Sequence, residues 1–154
     1  MSGGSGEEFS FKEKSLLISL LAILVLYGAY FLRVLGGEAQ PVLTAMLQEM
    51  IGIVIALIVV HIVYHSVISL DDAPGRDDER DKAIDRRAGS ISHVILVIAV
   101  ITVLARILIV GAWGESADES LISLFEIANL LLAGLVASEV VHYAAQLYFY
   151  RRGL

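Results

Sequence analysis

LLISLLAILVLYGAYFLRVL fills residues 16–35 and carries one charged side chain, Arg33, near its far end. About 20 predominantly apolar residues are what a helix needs to cross the hydrocarbon of a bilayer. Its apolar part is too long for a secretory signal, and no small-residue cleavage site follows, so it reads as a retained span. Three further runs of similar length follow at 42–60, 91–110 and 121–141. With their polar flanks the spans are assigned to about 16–35, 42–65, 91–110 and 121–146. A barrel strand would alternate apolar with polar residues, and these runs do not. The expected fold is therefore all-α: a polytopic membrane protein, a bundle of four transmembrane helices in one domain over residues 1–154.

Composition points the same way. Hydrophobic residues make up 57% of the 154-residue chain and the mean hydropathy is +0.77, whereas soluble domains hold roughly 45–50% apolar residues. Zero cysteines remove disulfides, thiolate metal sites and cysteine nucleophiles together. The net charge of −6 leaves no basic face for nucleic acid. The opening SGGSG (residues 2–6) is flexible in composition and is set aside from fold reasoning.

Orientation follows from where Lys and Arg fall. Lys12, Lys14, Arg76, Arg80, Lys82, Arg86, Arg87, Arg151 and Arg152 lie on one side of the expected topology, and only Arg33 and Arg106 approach the other. By the positive-inside rule both termini and the charged loop 71–88 face the cytoplasm. Within that loop a charged helix is expected to start near Asp77 and to run on into the third span, supported by pairs such as Asp78 with Lys82.

A shift of 77 residues, the separation between Glu49 and Glu126, lays the second span on the fourth without gaps. It matches Leu47 with Leu124, Glu49 with Glu126, Ala56 with Ala133, Val59 with Val136, Val63 with Val140, and His65 with His142. The same shift pairs Ser15 with Ser92, Ile18 with Ile95 and Ala22 with Ala99. Two repeated helical hairpins related by a pseudo-twofold along the membrane normal are expected. Helical phase then groups Glu49, Gly52 and Ala56 on the second span, and Glu126, Asn129, Ala133 and Ala137 on the fourth, as packing seams through which a homodimer could also form.

Polar residues fall into two layers. Glu49 and His65, like Glu126 and His142, stand sixteen residues apart, roughly 24 Å along a helix. His61, His65, His93 and His142 therefore belong near the cytoplasmic boundary, and Glu49, Glu126 and Arg106 towards the outside. Imidazoles are common metal ligands, and Glu139 with His142 forms a Glu-x-x-His pair. His61, His65, His93, Glu139 and His142 are accordingly candidate ligands for a transition metal or haem, although the second Glu-x-x-His copy of a di-iron bundle is missing. The alternative is an interfacial belt of His, Tyr, Gln and Arg, as HYAAQLYFYRRG (142–153) suggests. Glu49 and Glu126, with Arg106, are candidates for proton or substrate binding, because an ionisable residue within a span invites that reading. Against it stands a structural ion pair with Arg106. No phosphate-cradling glycine loop, His-Glu-x-x-His, Gly-x-Ser-x-Gly or dinucleotide fingerprint occurs, so no enzymatic chemistry is expected.

FKEKSLLISLLAILVLYGAYF (11–31), DERDKAIDRRAGSISHVIL (78–96) and QLYFYRRG (146–153) resemble a group of small four-span bacterial membrane proteins without an established activity. The resemblance covers most of the chain. It implies a bacterial inner-membrane location and, by association with small regulators, a sensory or accessory role; it supplies no site residues. The functional expectation is a structural, accessory or signalling membrane protein whose partners are the lipid bilayer, a second copy, or a membrane or cytoplasmic protein. The alternatives are a small proton-coupled transporter or channel using Glu49 and Glu126, and a metal- or haem-binding bundle.

Overall fold

The computed structural model describes residues 11–37, 42–68, 79–113 and 123–152. They form four α-helices: α1 (Phe11–Leu35), α2 (Leu43–Ile68), α3 (Glu79–Trp113) and α4 (Leu124–Arg152). Each is long and apolar enough to cross a membrane. The fold is all-helical among the described residues.

Local chemistry sets the helix ends. Gly37 adopts φ +72°, and Gly36 N–H donates to Leu32 O at 2.9 Å while Gly37 N–H donates to Val34 O at 3.2 Å. Such a left-handed residue is the usual way to close a helix, and glycine takes it without a Cβ clash. At the start of α4, Ser123 Oγ accepts the Glu126 N–H at 3.0 Å, the N-cap bond of a Ser-x-x-Glu box. Glu79 and Asp81 lie in the first turn of α3, and Arg151 and Arg152 in the last turn of α4, where each sign complements the helix dipole.

α3 is 35 residues long, roughly 52 Å, because good helix formers carry the charged segment from Glu79 straight into the apolar run. The charged loop expected at 71–88 is thus helical from Glu79 onward. Residues 71–78, including Asp78 and its expected pairing with Lys82, lie outside the described residues.

The helices pack as a row in the order α2, α1, α4, α3. Contact is most extensive between α3 and α4, less so between α1 and α4, and least between α1 and α2. Directions follow from cross-links. Arg33 at the end of α1 meets Glu49 at the start of α2, Tyr30 meets Asn129 near the start of α4, and Lys12 meets Asp81 near the start of α3. Hence α1 and α3 run one way, α2 and α4 the other. Two ends result: a turn end with Arg33, Glu49, Arg106 and Glu126, and a basic end with Lys12, Lys82, Arg151 and Arg152. A pseudo-twofold between hairpins would match the α1–α4 contact with an equivalent one between α2 and α3, but those two helices share no substantial interface among the described residues.

The α3–α4 seam is built from small residues. A Cβ placed on Gly134 would stand 2.5 Å from Ala99 Cβ, so only glycine permits this approach. One turn on, Ser138 Oγ donates to Ser92 O at 3.2 Å, Ser92 Oγ donates to Gly89 O at 3.0 Å, and Ala88 is fully buried. Small-xxx-small spacing of this kind lets helix backbones come together where apolar burial alone gives little drive. The α1–α2 seam is different: Met46, Met50, Ile53 and Leu57 of α2 pack with Leu26, Tyr27, Tyr30 and Phe31 of α1, over Leu132 of α4.

These seams displace the expected ones. Gly52 is exposed with open space where a Cβ would stand, Ala56 is half-buried and Ala137 exposed. Met46 and Ile53 are the buried residues of α2 instead. On α4, Asn129 is buried and Ala133 half-buried on the side facing α1, whereas Gly134 and Ser138 face α3. Within the chain the buried positions of α2 thus lie about one residue, a rotation of about 100°, from the expected stripe, whereas on α4 Asn129 of the expected stripe does meet α1.

Candidate functional site

Polar side chains cross the helix row in two places. At the turn end, Arg33 Nη1 and Nη2 donate to Glu49 Oε1 and Oε2 at 3.1 and 3.4 Å, and Arg106 Nη2 donates to Glu126 Oε1. Each hairpin therefore holds one guanidinium against one carboxylate. Just inside, Tyr30 OH donates to Asn129 Oδ1 at 2.7 Å, and Asn129 Nδ2 donates to Phe125 O at 2.9 Å. Tyr30 is 1% exposed, so this bond satisfies a polar tip in the core. A groove of about 430 Å³ between α1 and α4 is lined by Phe31, Val34, Phe125, Glu126, Asn129 and Leu130, among others.

The basic end carries a denser network in two layers, one helical turn apart. Asp81 of α3 accepts from Lys12 of α1 and from Tyr150 OH of α4 at 2.6 Å, so one carboxylate joins three helices. Asp85 Oδ1 accepts from Gln146 Nε2 at 2.6 Å and lies 3.3 Å from His142 Nε2. Gln146 Nε2 also lies 2.9 Å from His142 Nε2. Arg80 Nη2 reaches Tyr150 O at 3.5 Å. A cleft of about 240 Å³ is lined by Lys12, Asp81, Lys82, Asp85, Gln146 and Tyr150. Spacing explains the layering: Asp81 and Asp85 on α3, and Gln146 and Tyr150 on α4, are each four residues apart and share a helix face.

The histidines expected in one layer differ in their surroundings. His61 and His65 lie in the last turns of α2, whose direction places them at the same end as His142, but their side chains fall outside the described ones. His93 and Glu139 are exposed, while His142 is half-buried and spends Nε2 on Gln146 and Asp85. Among the described residues, no three His, Asp or Glu side chains come together in a way that could hold a metal ion. Glu49 and Glu126 are brought to arginines: Glu126 to Arg106, as weighed from sequence, and Glu49 to Arg33.

Asp81, Asp85, Lys12 and Tyr150 were not singled out from sequence, nor were Gly134, Ser138 and Tyr30. The Gly134-x-x-x-Ser138 spacing was a readable signal for the α3–α4 seam. The Asp81–Asp85 spacing was another, hidden because the charged helix expected from near Asp77 read as a solvated face.

Four helices of this length and hydropathy support a multi-pass helical membrane protein. No protein-family model matches the sequence, and comparison with curated proteins and with solved structures found no match.

Proposed function

We propose that the chain is an integral membrane protein of non-enzymatic type, an accessory or signalling component, with its basic end, both termini and the charged segment before α3 in the cytoplasm of a bacterium and the membrane being the inner one. The observation that carries the reading is the distribution of exposed side chains. Along α2, Leu47, Val54, Ile55 and Ile58 are 46–59% exposed, and along α3 Val94, Ile98, Ile101 and Leu108 are 54–62% exposed. Apolar surface of that extent needs lipid or other helices around it, while charge gathers at the helix ends. The alignment of Glu49 with Glu126 and of His65 with His142 supports a duplicated origin.

The accessory reading rests on what the polar groups do. Those at the basic end link α1, α3 and α4 to one another, and the exposed charges Arg80, Lys82, Arg86 and Arg87 of α3 offer a surface to a cytoplasmic protein. Membrane fractions extracted with alkaline carbonate test the placement: the chain stays with the lipid, and its release into the supernatant overturns the reading. Charge reversal at Arg80, Arg86 and Arg87 is expected to weaken partner capture while leaving membrane retention intact.

Proton-coupled transport is the second reading, favoured by one observation: Glu126 lines the groove between α1 and α4. The guanidiniums facing Glu49 and Glu126 weigh against it, since each carboxylate already has an ion-pair partner. Substrate-dependent proton release that disappears in the Glu49→Gln, Glu126→Gln double variant would establish transport in place of the accessory role. A haem or metal role predicts a Soret band or bound metal that is lost in His142→Ala.

A further inference from the structure

The partners of His142 favour one tautomer of its ring. A carboxylate oxygen only accepts, so the Gln146 atom 2.6 Å from Asp85 Oδ1 is the amide nitrogen. The same NH2 group lies 2.9 Å from His142 Nε2 and has a second hydrogen to give. In this geometry His142 Nε2 accepts, which places the ring hydrogen on Nδ1. Asp85 Oδ1 and His142 Nε2, 3.3 Å apart, are two lone-pair atoms held near one another by the amide that donates to both.

We propose that His142 is a proton-sensing site, at which uptake of one proton on Nε2 rewires the α3–α4 seam. The proton comes from water through the cleft, whose walls include Asp85 and Gln146. Once Nε2–H forms, it donates to Asp85 Oδ1 as a charge-assisted bond, and the Gln146 NH2 faces another donor. The amide turns its oxygen to the imidazolium and gives up the Gln146–Asp85 bond. Gln146 is only 8% exposed and packed between the helices, so its side chain turns within the cleft and the α3–α4 seam shifts with it.

Charged and titratable groups face His142 from three helices. From α3 it faces Asp85, whose side chain is 65% exposed. On α4, Tyr143 lies edge-on at a ring separation of 5.7 Å, and Glu139, one turn earlier, is exposed. From α1, Lys12 lines the same cleft, but its ammonium is held by Asp81. Tyr150 binds Asp81 as well, and it follows Gln146 by one turn of α4. A displacement at Gln146 is thus handed to the layer where α1 joins α3 and α4. This mechanism stands on the α3–α4 seam and does not depend on the chain being in a membrane.

The test uses the full chain in detergent micelles. Histidine nitrogen NMR reads the tautomer, with the His142 signal assigned by its loss in His142→Gln and, independently, by its survival when His61, His65 and His93 are replaced by Gln. Spin labels at Arg86→Cys and Ala144→Cys, introduced into this cysteine-free sequence, read the seam. At pH 8 only Nδ1 should carry hydrogen; by pH 5, across the interval in which histidine charges, both nitrogens should. Over that interval the label separation should change by roughly 1–2 Å, the scale of helix shifts at interfaces. In Gln146→Leu the imidazole should still titrate and the separation stay constant. An Nε2–H tautomer at pH 8, an imidazole still neutral at pH 5, or a separation unchanged while the imidazole charges would each overturn the proposal.

Discussion

The two hairpins hold together by different means. α3 and α4 lie close because Gly134 admits Ala99 and because Ser138, His142, Gln146 and Tyr150 reach polar groups of α3 along its length. α1 and α2 touch mainly through Met46, Met50, Ile53 and Leu57 against larger side chains, with the half-exposed Arg33–Glu49 pair beyond them. For helices that are apolar all round, packing side chain on side chain gains little over contact with lipid; close backbone approach and interhelical hydrogen bonds decide the pairing. The second hairpin has both, and the first has neither in quantity. α2 is consequently the least anchored helix, and α4, in contact with both α1 and α3, organises the row.

That contrast can be broken at named positions. Gly134→Leu should have the largest effect: a side chain forced against Ala99 costs typically 1–3 kcal/mol or more, read as lost resistance to unfolding in mixed micelles, with α3 and α4 no longer protected from hydrogen exchange. Gly52→Leu is its counterpart on α2, where nothing stands within 4 Å of the added Cβ. It should leave stability unchanged or slightly raised, since leucine favours a helix over glycine by somewhat less than about 1 kcal/mol. Equal damage from the two leucines would refute the distinction between the hairpins.

Tyr30→Phe comes next. It deprives buried Asn129 Oδ1 of its donor, at a cost of about 1–3 kcal/mol for an unsatisfied buried acceptor, and should loosen α1 from α4 while sparing the α3–α4 seam. Ser123→Ala should remove about 1 kcal/mol with the N-cap bond to Glu126, fraying the start of α4. Arg33→Gln should matter least: a pair with side chains 50% and 34% exposed is worth under about 1 kcal/mol.

Much of the helical content was legible in residues 16–35 and their three counterparts, because length and unbroken apolarity need no tertiary information. The helix faces were not. An 80° or 100° error in phase is invisible when nearly every position is apolar, so Gly52 read as a seam residue although the buried positions are Met46 and Ile53. The ion pair of Glu126 with Arg106 could be weighed from depth alone, because both residues approach the same turn. The Asp85–Gln146–His142 network could not: an early helix start was expected, but which face of that helix meets α4 depends on the α3–α4 packing.

The central claim is that four helices cross a bilayer with the basic end on one side and the turn end on the other. Single cysteines at Lys14, Arg86, Arg152 and Gly37 of the cysteine-free chain, probed in sealed inside-out and right-side-out vesicles with a membrane-impermeant maleimide, test it directly. The first three should label only where the cytoplasmic face is exposed, and Gly37→Cys only from the opposite side. Labelling of Gly37→Cys together with Lys14→Cys from one face, or of all four from both, would contradict the account.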